Sequence, residues 1–357
     1  MPRLYIPGPT EVNAEVMAAQ IRPMLGHRSA EFADLFYRIA GKLKTLLQTE
    51  QHIYISTSSG SGLQEAAVRN TVRPGRKVLV PVHGAFSQRW AEVAAGNGCE
   101  TVPLDLPWGQ PIRPEAIEAA LAAGGFDAVA IVHNETSTGV MSHVSTLAGL
   151  VRARFPDVLL LVDAVSSAGG VDLPFDAWGL DMLLTSSQKC FALPPGLAFA
   201  AVSDRLLARA QAVPHRGWYF DLLLLEKYFS EGKTTPATPA IGLLFAADLQ
   251  TDRMVAEGLA PRFARHQQMM ALTHAWAAKH DLDLFPERGY ESATVTCVRN
   301  TRQIDVAAMV KHAKTRGLVI GNGYGKLKNH TFRLAHMGEL TVGDMEELFG
   351  VLDEYVA

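Results

Sequence analysis

Lys189 is the side chain whose surroundings in the sequence most clearly suggest chemistry. It is the only lysine between residues 78 and 226, and it follows an apolar run, Leu183–Thr185, and a short hydroxyl-rich turn. A lysine after a strand is usually a solvated turn residue. The apolar residues that begin with Phe191 instead favour a partly dry pocket. In such a pocket an amine loses proton affinity and becomes a nucleophile that can form a Schiff base with a carbonyl group.

An anion site is indicated by Ser58–Gly62, where serines and glycines precede a predicted helix, Leu63–Val72. Glycines let backbone amides approach an anion, and the helix amino terminus behind them favours negative charge, so the segment predicts a phosphate cradle. It lacks the lysine of a nucleotide P-loop and the full Gly-x-Gly-x-x-Gly of a dinucleotide site. Taken alone, the segment could also be a plain turn.

Asp163 directly follows an apolar run, residues 160–162, and needs a partner because an unpaired buried charge is very costly. It could cap the turn that follows it, or it could pair with a cationic ring nitrogen. Pyridoxal phosphate requires a carboxylate that pairs with its ring nitrogen in this way. A phosphate cradle, a buried carboxylate and an isolated lysine at neighbouring strand ends together match this cofactor, because they provide an anchor, an electron-sink partner and an amine.

These groups must be positioned by a sheet, since each occurs where a predicted strand ends. Between residues 52 and 202, short apolar runs alternate with helical stretches, a pattern typical of an α/β fold with a mainly parallel sheet buried on both faces. Ligands of such sheets bind at the carboxyl ends of the strands. The predicted strands are His52–Ser56, Lys77–Val82, Glu100–Leu104, Ala128–His133, Val158–Asp163, Met182–Thr185 and Leu197–Val202.

The rest of the chain predicts further helices and a second, smaller domain. Thr10 is predicted to cap a helix that runs through Met17, and a core-facing stripe predicts a helix over 32–47. A long helical region, Ile241–His280, is predicted with an interruption at Pro261. We therefore predict an N-terminal segment over the active site (1–15), a large cofactor-binding domain (16–256) and a small C-terminal α+β domain (257–357).

Composition and charge argue against several classes of function. The net charge is -3, the pI is near 6.5, and basic residues form no continuous stripe in the sequence. These features argue against nucleic acid as a partner. No apolar run approaches the length of a membrane span, and no signal-peptide core opens the chain, so no membrane partner is expected. The cysteines, Cys99, Cys190 and Cys297, are far apart and odd in number. They indicate neither a disulfide framework nor a metal site, and a cytoplasmic setting is expected.

Six short stretches carry a resemblance that covers almost the whole chain: Pro7–Thr10, Ser58–Ala66, His133–Gly139, Val162–Ser167, Ser186–Lys189 and Phe332–Gly338. In their order and spacing they resemble the class V aminotransferases, in the branch that contains the alanine–glyoxylate and serine–pyruvate aminotransferases. These are fold type I pyridoxal phosphate enzymes. The resemblance implies a large domain built on a mainly parallel seven-stranded sheet and a smaller C-terminal α+β domain.

The resemblance also implies a role for each matching residue. Lys189 would form the Schiff base with the cofactor and move a proton at the substrate carbon, while Asp163 would keep the ring nitrogen protonated. Arg333 would bind the substrate carboxylate, with Gly8 and Tyr324 beside the substrate. The other cofactor-binding residues would be Gly60, Ser61, Gly62 and Gln188 at the anion cradle, Phe86 and Val165 on the two ring faces, Thr136 near the ring hydroxyl, and either Thr235 or Thr238, reaching the partner subunit's cofactor.

The predicted function is a transaminase that moves the amino group of a small amino acid, such as alanine or serine, to glyoxylate or pyruvate by a ping-pong mechanism. The implied assembly is a homodimer with shared active sites. Two positions depart from the family pattern. Phe86 stands where the alanine–glyoxylate enzymes often have tryptophan, and Ser61 stands at a position that varies among subgroups. Substrate choice is therefore open, whereas cofactor binding is not.

Three alternatives stay open at this point. A phosphoserine or aspartate transaminase would need a second cation in the pocket. A cysteine desulfurase or other lyase is disfavoured, because those relatives place a histidine where Phe86 stands and use a mobile cysteine. A non-catalytic protein that uses only the phosphate loop would leave Lys189, Asp163 and Arg333 without a shared purpose. The candidates for the second cation are His27, Arg28, Lys326 and Lys328.

Overall fold

A seven-stranded sheet is the main element of the computed structural model, which describes residues 2–356. The strands of the described chain are β1 (Arg3–Tyr5), β2 (His52–Ser56), β3 (Lys77–Val82), β4 (Glu100–Asp105), β5 (Phe126–Val132), β6 (Asn134–Glu135), β7 (Val140–Met141), β8 (Leu159–Asp163), β9 (Met182–Ser186), β10 (Ala198–Val202), β11 (Val295–Arg299), β12 (Leu318–Asn322) and β13 (Thr331–Ala335). The large sheet has the order β2-β10-β9-β8-β5-β3-β4, and β10 runs antiparallel to both neighbours. The predicted α/β class with a mainly parallel seven-stranded sheet is confirmed.

Helices connect the strands and cover the sheet. The helices are α1 (Ala14–Ala18), α2 (Ala30–Leu47), α3 (Gly60–Thr71), α4 (Ala85–Gly96), α5 (Pro114–Leu121), α6 (Val144–Arg154), α7 (Phe175–Trp178), α8 (Asp204–Gln211), α9 (Leu222–Ser230), α10 (Ile241–Glu257), α11 (Leu259–Lys279), α12 (Val306–Thr315) and α13 (Val342–Val356). Short 3-10 turns occur at Ala19–Ile21 and Gly325–Leu327. Across residues 2–356, every helix is too short or too polar to span a lipid bilayer.

Burial on both faces explains why the central strands are continuous apolar runs. Every residue of β5, β8 and β9 is buried. Successive side chains of a strand point to opposite faces, and alternate residues of β5 and β8 accordingly belong to two separate hydrophobic clusters. Ile131 and Val162 pack in one cluster, whereas Ala130 and Leu161 pack in the other. Core on both sides of the sheet fixes the strand positions and therefore the positions of the residues that follow them.

The register of the parallel strands brings the predicted site residues to one edge. Val132 at the end of β5 lies opposite Asp163, and Asp163 at the end of β8 lies opposite Leu184. Strand β9 ends at Ser186, so Lys189 follows within three residues. The carboxyl ends of these strands therefore meet, as the sequence pattern predicted.

A second sheet of four strands lies in the C-terminal part of the chain, in the order β1-β12-β13-β11. Its edge strand β1 comes from the N-terminus and pairs in parallel with β12, a pairing that the sequence pattern did not predict. The long helical region breaks at Gly258, which has φ +82°, rather than at the predicted Pro261. Proline is tolerated in the first turn of a helix because its missing N–H has no helical acceptor there. The division of the chain into domains stays a prediction.

The predicted helix cap at Thr10 is wrong. Asn13 caps α1 instead, and its side chain accepts a hydrogen bond from the amide of Glu15 at 2.8 Å. The Thr10 hydroxyl donates to the carbonyl of Lys189 at 3.0 Å, and the Thr10 amide donates to the carbonyl of Gln188 at 3.1 Å. Thr10 therefore holds the turn that carries the lysine.

Arg262 connects three loops near this turn from the start of α11. Its side chain is fully buried and donates to the carbonyls of Gly169 and Cys190 at 2.7 Å each and to that of Gly338 at 3.3 Å. It also pairs with Glu257 at 2.5 Å. These contacts join the loop after β8, the turn after β9 and the loop after β13, so one buried cation ties both sheets to the Lys189 turn.

We expect Arg262→Met to lower the free energy of unfolding by about 2 to 5 kcal/mol, because it leaves the buried carbonyls of Gly169 and Cys190 without their donor, whereas Glu257 keeps its contact with Arg265. Urea denaturation followed by circular dichroism measures this loss. Arg154→Met is the control: Arg154 is mostly exposed and pairs with Glu118 at 2.9 Å, and a surface pair contributes about 0 to 1 kcal/mol. Equal losses in the two variants would contradict the role given to Arg262.

Candidate active site

A cavity of about 230 Å³ lies at the carboxyl edge of the large sheet. It is lined by residues that follow β2, β3, β5, β8 and β9, and Lys189 and Asp163 lie on its wall. Eight of the predicted site residues share this lining: Gly60, Ser61, Phe86, Thr136, Asp163, Val165, Gln188 and Lys189. Residues from distant parts of the sequence therefore form one site.

Lys189 is held in a tight turn that keeps its amine out of water. Its carbonyl accepts a hydrogen bond from the amide of Ala192 at 2.9 Å, and its Nζ donates to the carbonyl of Pro7. Burial, assisted by the positive charge of Arg333, lowers the pKa of Lys189 from 10.5 to about 8. A larger share of this amine is uncharged near neutral pH than for an exposed lysine, which makes it a better nucleophile and base.

Asp163 is buried and paired with neutral donors. Gln64 Nε2 donates to its Oδ2 at 2.6 Å, and the amide of Val165 donates to its Oδ1 at 2.8 Å. The Val165 contact is the turn cap that the sequence left open. Burial raises the pKa of Asp163 from 3.8 to about 6, although these two hydrogen bonds oppose the rise. The group is therefore mostly ionised at neutral pH and presents a negative charge to the cavity.

Glu135 anchors the helix that carries Phe86, and sequence reasoning did not single it out. This fully buried carboxylate accepts the amide of Ser87 at 2.9 Å, the amide of Phe86 at 3.2 Å and the hydroxyl of Ser137 at 2.6 Å. It thus stabilises the amino terminus of α4, where the free N–H groups and the helix dipole favour negative charge. A Cβ at Gly84 would overlap the Glu135 side chain, so only glycine permits this approach.

The anion cradle coincides with the amino terminus of α3. The helix begins at Gly60, three residues earlier than predicted, so Gly60 and Ser61 lie in its first turn. Its cap residue, Ser59, makes no side-chain hydrogen bond to the helix and also lines the cavity. The Gly62 amide bonds to the carbonyl of Ser59 at 3.0 Å, and Gly62 does not border the cavity. Its role in anion binding stays a prediction.

Four buried polar atoms at this cavity have no hydrogen-bond partner among residues 2–356. They are Gln64 Oε1, Asn134 Oδ1, Ser186 Oγ and Gln188 Oε1. Buried polar atoms nearly always have partners, so this cluster is a site for a polar ligand. A ring with polar substituents and a phosphate would meet apolar side chains at Phe86 and Val165 and hydroxyl and amide groups elsewhere. The lining therefore fits pyridoxal phosphate.

Arg333 lies on β13 and reaches toward the cavity from the smaller sheet. It is mostly buried and donates to the carbonyls of Asn322 at 3.2 Å and Thr136 at 3.3 Å. Within residues 2–356, no carboxylate oxygen lies within 4 Å of its guanidinium. Burial lowers the pKa of Arg333 below its ordinary value. A buried guanidinium that is satisfied only by carbonyls retains the capacity to bind a carboxylate.

Gly8 and Tyr324 lie beside these groups. Gly8 adopts φ +116°, and a Cβ at this position would overlap the Lys189 side chain. The Tyr324 ring packs on Phe86, with 5.4 Å between ring centroids, and the Arg333 guanidinium carbon lies 5.3 Å from the centroid of Tyr324. Gly8 therefore lies against the lysine and Tyr324 packs against Phe86 and Arg333, although neither residue borders the cavity itself.

Thr235 and Thr238 lie outside this cavity. They line a separate pocket of about 30 Å³ with Trp218 and Tyr219, and the Thr235 hydroxyl donates to the carbonyl of Ala237 at 2.7 Å. Their proposed reach into a partner subunit stays a prediction.

The four candidate second cations also lie elsewhere. Lys326 Nζ is 4.1 Å from the ring centroid of Trp108, and the Arg28 guanidinium carbon is 5.8 Å from that of Tyr228. None of the four, His27 and Lys328 included, borders the cavity.

The cavity is also lined by two long polar side chains that sequence reasoning did not single out, Gln64 and Arg89. Each follows a predicted site residue by three positions on a helix, Gln64 after Ser61 and Arg89 after Phe86. Residues three apart share a helix face, so this spacing was the available signal.

Comparisons with known proteins point to one family. Residues 10–323 match the family model described as Aminotransferase class-V. The chain is 35% identical over 353 residues to the soluble hydrogenase small subunit of Synechococcus sp., covering 98% of this chain and 90% of that protein. It is 33% identical over 347 residues to L-aspartate–glyoxylate aminotransferase of Paracoccus denitrificans, covering 95% of this chain and 87% of that protein. An alanine–glyoxylate aminotransferase structure from Nostoc sp. superposes with a TM-score of 0.94 at 29% identity, and the superposition covers 100% of this chain and 95% of that one.

We expect Gly8→Ala to slow the reaction of Lys189 with added pyridoxal phosphate about 10- to 100-fold. An alanine there is strained at positive φ, and its Cβ displaces the amine. The visible absorbance of the protein after mixing measures the rate. Gly26→Ala is the matched control, because a Cβ at Gly26 would have no neighbour within 4 Å. A Gly8→Ala variant that reacts as fast as the control would show that Gly8 does not constrain the lysine.

Proposed function

The chain belongs to the class V aminotransferases, and we propose that it moves the amino group of a small amino acid, such as alanine or serine, to glyoxylate or pyruvate. It is a pyridoxal phosphate-dependent aminotransferase of fold type I. One observation carries the proposal: a buried lysine amine and a buried carboxylate line a single cavity at the sheet edge, and the guanidinium of Arg333, which has no carboxylate partner among residues 2–356, donates to the carbonyl of Thr136 in its wall.

The chain's own residues supply the proton chemistry. Bound pyridoxal phosphate provides an aldehyde that takes up the amino group and a ring that draws electrons from the substrate α-carbon. Lys189 Nζ, with its lowered pKa, accepts the proton from the α-carbon and can return it. Asp163, held by Gln64 and Val165, offers a fixed negative charge to a protonated ring nitrogen.

Binding is divided among the elements around the cavity. We assign the phosphate to the amino terminus of α3 with Ser61 and Gln188, and the ring to the space between Phe86 and Val165. The free amides of a helix amino terminus support the phosphate assignment, and Gln188 in the same lining carries an amide NH₂ group that can donate to phosphate oxygens. Thr136 donates its hydroxyl to Ser166 at 2.9 Å and retains an acceptor for a ring substituent.

The substrate space favours a short side chain. The backbone of Pro7 and Gly8 closes over Lys189, and Arg333 approaches from the smaller sheet. Arg333 binds the α-carboxylate of the substrate and thereby fixes the direction of its α-carbon relative to Lys189. The Paracoccus and Nostoc relatives are both named for glyoxylate as their partner substrate, which supports a small 2-oxo acid as acceptor.

The desulfurase alternative is disfavoured by the state of the cysteines. Such a reaction needs a mobile thiolate, whereas Cys190 and Cys297 are fully buried and burial raises the pKa of each to about 11. The three cysteines are unpaired, which accords with the cytoplasmic setting that we propose.

We also propose a homodimer in which each subunit completes the other's site. Trp218 is 58% exposed beside the pocket that Thr235 and Thr238 line, and Tyr219 next to it is 46% exposed. Aromatic side chains of this kind are enriched at protein interfaces.

A half-reaction screen tests the proposed activity. We expect alanine, serine or a similar small amino acid to bleach the visible absorbance of the protein loaded with pyridoxal phosphate, and glyoxylate or pyruvate to restore it. Lys189→Ala is the control and should lower the rate of bleaching by about 10²- to 10⁴-fold, since it removes the general base. If no small amino acid changes the absorbance, the proposal is wrong.

A further inference from the structure

Arg89 lies in the same cavity as Lys189, one helical turn beyond Phe86 on α4. Its guanidinium carbon is 5.1 Å from the centroid of the Phe86 ring, so the two side chains are packed together on the face of α4 that borders the cavity. The helix start is fixed by Glu135, which accepts the amides of Phe86 and Ser87. The position of Arg89 is therefore set by a rigid element and not by a loop.

The guanidinium of Arg89 has no carboxylate within 4 Å among residues 2–356. In the same range Arg333 is the other partly buried arginine without one, whereas Arg73 lies 2.7 Å from Asp127 and Arg152 lies 2.5 Å from Asp181. A cation that is partly withdrawn from water is stabilised by an anion. Since residues 2–356 supply none, the fitting partner of Arg89 is an anionic group on a ligand.

Tyr324 lies between Arg89 and the guanidinium that is assigned to the α-carboxylate. Arg89 Nη2 donates to the Tyr324 hydroxyl at 3.5 Å, and the Arg333 guanidinium carbon lies 5.3 Å from the Tyr324 ring centroid. Two cationic side chains thus approach one phenol from different sides. A substrate held by Arg333 would have Arg89 and the Tyr324 hydroxyl near the other end of its carbon chain.

The charges around the cavity are unbalanced. Lys189, Arg333 and Arg89 are the basic groups that act on it, and Asp163 and Glu135 are the acidic ones. The Glu135 carboxylate is occupied by the amides at the start of α4, which leaves Asp163 as the acceptor that borders the cavity. The cofactor phosphate has its own donors at α3, and the α-carboxylate has Arg333. One cation, Arg89, is left over.

We propose that Arg89 is a specificity-determining residue that binds the side-chain carboxylate of an acidic amino donor with a four-carbon chain, while Arg333 binds its α-carboxylate. This inference rests on the transaminase function proposed above. Its substrate class is a small dicarboxylic amino acid, for which aspartate is the probe. The amino group of aspartate is exchanged for the carbonyl oxygen of glyoxylate, which gives oxaloacetate and glycine. The exchange needs no external oxidant or reductant.

The test compares aspartate with asparagine, its neutral isostere, as donors to glyoxylate. We expect the wild-type holoenzyme to have a kcat/KM for aspartate at least about 10-fold above that for asparagine. In Arg89→Met this ratio should fall about 10- to 100-fold, the effect of losing one charge-assisted hydrogen-bonded pair. Arg89→Lys keeps the charge and loses the bidentate fork. Its aspartate-to-asparagine ratio of kcat/KM should therefore lie between those of the wild type and Arg89→Met.

Three results would overturn the assignment. The first is a wild-type enzyme that uses alanine but not aspartate, which would leave the transaminase proposal intact. The second is an Arg89→Met variant whose kcat/KM values for aspartate and asparagine fall equally. The third is a loss of affinity for pyridoxal phosphate in Arg89→Met with an unchanged aspartate-to-asparagine ratio, which would assign Arg89 to the cofactor. Failure of every amino acid in the wild-type enzyme would instead disprove the transaminase proposal itself.

Discussion

The burial of one amine, Lys189 Nζ, is the constraint on which the site depends. An ammonium group removed from water is costly, so the protein shifts the lysine toward its neutral form and supports it with local contacts. Thr10 holds the backbone of the turn from one side, and Arg262 holds the next carbonyl, that of Cys190, from the other. Pro7 offers the amine an acceptor. The N-terminal segment, the large sheet and helix α11 therefore all converge on this residue.

The other charges of the site fall into two groups that differ in how they are satisfied. Glu135 and Arg262 are fully buried and use their hydrogen-bonding capacity within the chain, which makes the surrounding elements rigid. Asp163, Arg333 and Arg89 are hydrogen-bonded to neutral groups and, within residues 2–356, have no opposite charge in contact. The first group builds the scaffold. The second leaves fixed charges for a ring nitrogen and for substrate carboxylates, a preorganisation that costs no rearrangement during the reaction.

The sequence predicted the fold well because strands buried on both faces are continuous apolar runs. Most of its errors come from short elements and from contacts between distant residues. Strand β1 has three residues, too few to show a period. Threonine commonly caps helices, yet the Thr10 hydroxyl donates to the carbonyl of Lys189 instead. Arg89 and Gln64 each follow a predicted site residue by three positions, but the sequence alone did not show that these helix faces meet the cavity. None of the four cations chosen from sequence borders the cavity, and the position of Arg89 near Tyr324 and Arg333 depends on the packing of two sheets, which a sequence pattern does not show.

The central claim is that Lys189, alone among the lysines, is the amine that holds pyridoxal phosphate. Borohydride reduction of the holoenzyme, followed by proteolysis and mass spectrometry, tests it most directly. We expect one pyridoxyl phosphate group on the peptide that contains Lys189 and none on peptides that contain Lys326 or Lys328. A label on a different lysine, or an unlabelled Lys189 in an active preparation, would contradict it.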